Sequence, residues 1–188
     1  MTGYPNDQGN AAGAIPVYIG GGTPENIAAS QLTQIKSEAG ILQGLSINTA
    51  GVGSSAAFFD GLSHDVTISI ATPGVVSYAD HPFVAGSKVR LSTTGALPTG
   101  LAVATDYYVI AAGLTADAFE LSATPGGAAI DTSGSQSGVQ TIWDLSHALG
   151  AFATTAQNSL ALNIAFENGL IALTADGGTP ADITAVYR

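Results

Sequence analysis

At 188 residues, 46% of them apolar and only 10% charged, the chain is large enough to bury a core without metal or disulfide staples and too poor in charge for a disordered polyelectrolyte. It has no cysteine, which excludes thiol catalysis, Cys-ligated zinc and iron–sulfur centres together. Fourteen acidic residues against four basic ones give a formal net charge of −10; such a surface repels a phosphate backbone, and the bases, Lys36, Lys88, Arg90 and Arg188, are too dispersed in sequence to form a patch.

Residues 1–24, MTGYPNDQGNAAGAIPVYIGGGTP, read as an arm, either flexible or bridging to a neighbouring subunit. Glycine and proline punctuate it too often for a helix, and only Ile15 to Ile19 offers anchorage. Met1 to Gly22 has neither a basic n-region nor an apolar h-region, so no secretory signal is expected. No run approaches the roughly 18 uninterrupted apolar residues of a membrane span.

Gln31 to Ala39 is compatible with helix or strand. Ile41, Leu45, Ile47 and Thr49 then share one face while Ser46 and Asn48 share the other, the alternation of a half-buried strand. After a GVGSS turn, AAFFD gives a short strand ending at Asp60-Gly61. Val66, Ile68 and Ile70 alternate with Thr67 and Ser69, and Val89 and Leu91 with Lys88 and Arg90. Strands are expected next over Tyr107 to Ala112 and Phe119 to Leu121. The segments ATPG, TTGALPTG and ATPGG stop any helix from propagating. Short strands at this spacing predict an antiparallel barrel or sandwich.

Beyond Trp143, LSHALGAFA reads as a short helix or loop. Leu160, Leu162, Ile164 and Phe166 then oppose Ala161, Asn163, Ala165 and Glu167, the clearest strand pattern in the chain. Glu167-Asn168-Gly169 has tight-turn chemistry and predicts a hairpin with GLIALTA. After DGGTPAD, Ile183, Ala185 and Tyr187 form a terminal strand, with Tyr187 expected in a core or subunit contact and Arg188 at the solvent edge.

Site motifs are few. GVGSSA at Gly51 to Ala56 matches the letters of a dinucleotide fingerprint but is followed by AAFFDG, too short for the helix that would hold a pyrophosphate. His64, His81 and His147 lack metal-ligand spacing, although the repeated Leu-Ser-His triplets at 62–64 and 145–147 suggest a common junction. No G-x-S-x-G elbow frames a serine, and no selected carboxylate pair suggests glycoside cleavage. Asp176 and Asp182 fit a solvated loop better than a calcium site, for DGGTPAD has no EF-hand register. No catalytic, cofactor-binding or metal site is therefore expected. Tyr107, Tyr108 and Trp143 are read as core or interface residues, alternation sending one of the two tyrosines inward.

One stretch carries a resemblance. HPFVAGSKVRLSTTGALPTGL, the Tyr107-Tyr108-Val109-Ile110 strand and FELSATPGGAAIDTSGSQSG lie within about 80 residues that resemble a small β module recurring in tailed-bacteriophage virion proteins. The flanks, AGILQGLSINTAGVGSSAAFFDG and NIAFENGLIALTADGGTPADITAVYR, resemble halves of one small virion β-sandwich. The implied organisation is an arm at 1–24, a discontinuous parent sandwich at 25–61 plus 143–188, and an inserted module at 62–142. The fold expected is all-β: an antiparallel, jelly-roll-like sandwich interrupted by a small barrel-like module.

The resemblance implies a non-enzymatic structural protein of the virion, assembled in the bacterial host cytoplasm, with capsid decoration or a head accessory role ranked first. A tail, fibre or baseplate component and a host-glycan-binding module are the alternatives. Implied partners are the major capsid protein or tail proteins and further copies of the chain, a trimer foremost, with no cofactor, nucleic acid or membrane. Interface or glycan contacts are expected at Tyr78, Tyr107, Tyr108, Trp143 and Tyr187. The charge divides without polarity: residues 62–142 hold six acids and two bases, the remainder eight acids and two bases.

Overall fold

A computed structural model describes residues 22–28, 32–175 and 181–188. Its first four strands are β1 (Thr23–Ala28), β2 (Leu32–Lys36), β3 (Gly40–Thr49) and β4 (Ser55–Asp60). Six more follow: β5 (Ser63–Ile68), β6 (Val75–Ser77), β7 (Lys88–Thr93), β8 (Asp106–Val109), β9 (Ala118–Ser122) and β10 (Gln140–Asp144). The last four are β11 (Ala148–Ala153), β12 (Asn158–Phe166), β13 (Leu170–Ala175) and β14 (Asp182–Tyr187). The described residues contain no helix, so the chain is all-β.

Two four-stranded antiparallel sheets, ordered β1-β14-β3-β12 and β11-β4-β13-β2, stack as a sandwich. Short connections cross from one sheet to the other between β1 and β2, β3 and β4, β11 and β12, and β13 and β14, and the strand order is that of an eight-stranded jelly roll. Strands β5 to β10 close separately into a six-stranded barrel, ordered β10-β5-β6-β9-β8-β7 and sealed by pairing of β10 with β7. In chain order the whole barrel lies between β4 and β11, and β10 carries it through Trp143 and Asp144.

Each body has its own core. Ile27, Leu42, Leu45, Ile47, Phe58, Phe166, Leu170 and Ile183 fill the sandwich, all at 2% exposure or less. Val76, Val89, Leu91, Val109, Phe119 and Ile142 fill the barrel. A fully buried aromatic or aliphatic side chain contributes about 1.5–3 kcal/mol relative to an exposed one, which is why both bodies stand without staples.

Several sequence expectations change. The ambiguous Gln31 to Ala39 region supplies strand β2, and LSHALGAFA becomes strand β11 with Phe152 edge-on to Phe58, ring centroids 6.0 Å apart. Thr23 and Pro24, assigned to the arm, already belong to β1; the rest of the arm, to residue 21, lies outside the described residues. In β3 the inward residues are Leu42, Leu45 and Ile47 rather than Ile41, Leu45 and Ile47. The cause is a bulge: Val186 pairs with Gly44 but Tyr187 with Leu42, so one extra β3 residue resets the alternation. Ile70 lies past the end of β5 and is 45% exposed.

The expected hairpin across Asn168-Gly169 is an arch instead. Strand β12 pairs with β3 in one sheet, whereas β13 sits between β4 and β2 in the other. Leu170, Ile171 and Ala172 are all 0% exposed, so β13 is covered on both faces. Such a strand belongs in the interior of a packed sheet, with a neighbour on each side, and not at its edge. The terminal strand β14 lies between β1 and β3; Tyr187 is half-buried against the sandwich core and Arg188 is exposed.

Candidate functional site

The chain enters the barrel through Gly61 and Leu62 and leaves it through Leu145 and Ser146, and these two crossings lie together. Strands β5 and β10 pair there, Ser63 opposite Trp143. The Asp144 amide donates to the Leu62 carbonyl at 3.0 Å, and the Asp60 amide to the His147 carbonyl at 2.9 Å. Both Leu-Ser-His triplets therefore sit at the joint between barrel and jelly roll. Close approach demands glycine: a Cβ on Gly61 would lie 2.5 Å from the Asp144 carbonyl oxygen, and one on Gly169 2.8 Å from those of Gly61 and Lys36.

Two polar side chains lock this joint. Gln34 on β2 donates from Nε2 to the Lys36 carbonyl at 2.6 Å and to the Leu170 carbonyl at 3.2 Å. Its Oε1 accepts from the Ser63 amide at 2.8 Å, so one side chain ties two sheet strands to the barrel entry. The Asp60 carboxylate accepts from the amides of Glu167, Asn168 and Gly169 at 2.9, 2.8 and 3.3 Å. Burial pushes its pKa up, but these donors and the Asn168 side chain outweigh that and hold it below the ordinary carboxylate value. Beside them Phe59, Leu145 and Ile171 form a third apolar cluster, with Trp143 and Leu173 packed at its margin.

A cleft of about 380 Å³ opens at the same joint, lined by Leu62, His64, Tyr78, Phe83, Asp144 and His147 among others. Tyr78 and His64 lie tilted against each other with centroids 4.6 Å apart, Phe83 meets Tyr78 edge-on at 6.1 Å, and Phe119 continues the ring series into the barrel core at 5.3 Å from Phe83. Burial, with the Asp144 carboxylate second, raises the Tyr78 phenol above its ordinary pKa. One Asp144 oxygen accepts from the Ser146 amide at 2.9 Å. The cleft thus joins an aromatic wall to a carboxylate and two imidazoles, chemistry suited to holding a small polar ring.

The remaining residues singled out from the sequence are spread over the molecule. Tyr107 is 3% exposed inside the barrel, where its hydroxyl accepts from the Ala102 amide at 2.8 Å, so it offers no surface to a ligand. Tyr108 is half-buried on the next position, opposite Lys88 and Ser122. Trp143 donates from Nε1 to the Ser92 hydroxyl at 2.8 Å and packs at the joint, not on an open platform. His81 packs against Tyr78, Phe83 and Phe119 and does not itself line the cleft that His64 and His147 share. Among the described residues no three His, Cys, Asp or Glu side chains gather to hold a metal. Asp176 lies outside those residues, while Asp182 accepts from the Asn26 side-chain amide at 3.0 Å.

On the barrel, Asp106 accepts from Arg90 and pairs with Lys88 at 2.6 Å. Burial works to raise its pKa, but the two cations prevail and hold it below the ordinary carboxylate value. Two of the four basic residues are thereby committed to one acid.

Gln34 and Asp60 are what the sequence concealed: neither sits in a motif, and each acts on carbonyls or amides distant in the chain. No protein-family model matches the chain, and no curated protein or solved structure matches it.

Proposed function

We propose that the chain is a non-enzymatic structural protein of a tailed-bacteriophage virion, serving in capsid decoration or as a head accessory protein. The sequence resemblance suggests the particle, and the joint is the observation that carries the role. A jelly roll bears a second β body on the single excursion between β4 and β11. Gln34, bonded to Ser63, and the Phe59–Leu145–Ile171 cluster, with Trp143 of β10 at its margin, support a fixed attitude for that body. An anchor with a held projection is what a decorating protein needs; jelly rolls serve viral capsids and also lectins, so fold alone does not choose between them.

In this reading the jelly roll attaches to the major capsid protein and the barrel points away from the shell. Labelling of intact particles with an antibody against the barrel tests it. Label repeated over the head is the expected result, label confined to the tail would replace decoration by a tail role, and unlabelled particles that lack the protein would end the reading.

A host-glycan-binding role is the second reading, and the Tyr78 wall of the joint cleft favours it. A glycan panel probed with the intact chain and with Tyr78→Ala decides it: binding lost in the variant is expected, and no binding by the intact chain removes the reading.

A further inference from the structure

The jelly roll has two flanks, and they are built differently. One consists of β1 and β2 and carries Pro24 and Glu25 in the first and Lys36 in the second. Proline and charge are the devices by which a sheet edge refuses a further strand. The other flank consists of β12 and β11. From Ala148 through Phe166 it contains no proline and no charged residue, in a chain with fourteen acids. Its sole edge device is a bulge in each pairing, between Ala148 and Gly150 and between Ala161 and Ile164.

Strand β12 is nine residues long and pairs on one side with β3; among the described residues no strand pairs with its other side. We infer that this edge pairs antiparallel with β12 of a second copy of the chain, across a two-fold axis perpendicular to the sheet. Charge argues for the occupant. A charged partner would find no complementary charge on β12, whereas a second copy presents an equally neutral edge and brings none of its own acids to the contact.

The side-chain pattern is self-complementary. With the axis at Leu162, the middle residue, Leu160 lies opposite Ile164 and Ala161 opposite Asn163. Even-numbered residues meet even-numbered ones, so the half-buried Leu160, Leu162 and Ile164 continue the apolar layer from one copy into the next. Ala161, Asn163 and Ala165 stay on the exposed face, where none is bulky or charged. The contact is isologous and closes at two copies. It does not depend on the virion reading.

Light scattering across a concentration series tests the pairing, and the expected species has twice the 18.6 kDa chain mass. Because each copy is strongly acidic, added salt should strengthen the dimer. Ala161→Lys/Asn163→Lys sets lysine opposite lysine at the axis while altering only exposed positions. It should be monomeric where the wild type is dimeric, with an unchanged circular dichroism spectrum and faster amide exchange in β12. Thr23→Lys, on the opposite flank, should remain dimeric. A wild type that stays monomeric at every concentration overturns the inference, as does a threefold mass or a dimer indifferent to the lysine pair. Protected β12 amides in a monomer would show that the chain covers its own edge, and would overturn it equally.

Discussion

Asp60 shows how much one side chain decides here. Its carboxylate gathers three consecutive backbone amides at the arch between β12 and β13, donors that no strand ladder satisfies. Asp60→Ala leaves them without that acceptor and should cost about 2 kcal/mol, read by urea denaturation. Asp60 and Asp106 are both held below the ordinary carboxylate value in the folded chain, so the unfolded chain takes up their protons first. Their stabilisation is complete above the unfolded pKa of about 3.9 and is lost as pH falls through the lower folded values. Urea midpoints between pH 6 and pH 2 should therefore fall less steeply in Asp60→Ala and Asp106→Asn than in the wild type. Neither aspartate was legible as a site residue, because its donors lie 107 to 109 residues away for Asp60 and on another strand for Asp106.

At the level of elements, alternation proved informative wherever one face of a strand meets water. β12 and β14 follow their apolar patterns residue by residue. β13 does not alternate, being buried on both faces, and a turn motif beside it suggested a hairpin that the sheet order rejects. β14 is central, paired to β1 and β3. Deleting residues 184–188 removes most of both pairings and should abolish a cooperative thermal transition in circular dichroism. Within the cores, Phe58→Ala and Phe119→Ala should each cost about 3–5 kcal/mol. They occupy separate clusters, so the double variant should show a nearly additive loss.

For the whole molecule the consequential feature is the joint. Phe59 and Ala148 are paired across β4 and β11, so the ends of the jelly-roll halves already lie side by side. Replacing residues 63–144 by a short Gly/Ser linker should leave a folded jelly roll with its β-type circular dichroism. The same excision removes Trp143 from the margin of the Phe59–Leu145–Ile171 cluster and should raise binding of an apolar-surface dye. An unfolded product would mean that the jelly roll needs the barrel to form.

Composition and short-range pattern by themselves determined an all-β chain with strands near β3, β4, β12 and β14, since side-chain period and turn chemistry are local properties. They also brought the two Leu-Ser-His triplets under suspicion as a junction. Which strand pairs with which was decided only in the tertiary structure. So were the arch at Asn168-Gly169, the burial of Tyr107 rather than Tyr108, and the roles of Gln34 and Asp60. The physical reason is common to all of these: each depends on which surfaces are covered and which distant amides need an acceptor, and a local pattern carries neither.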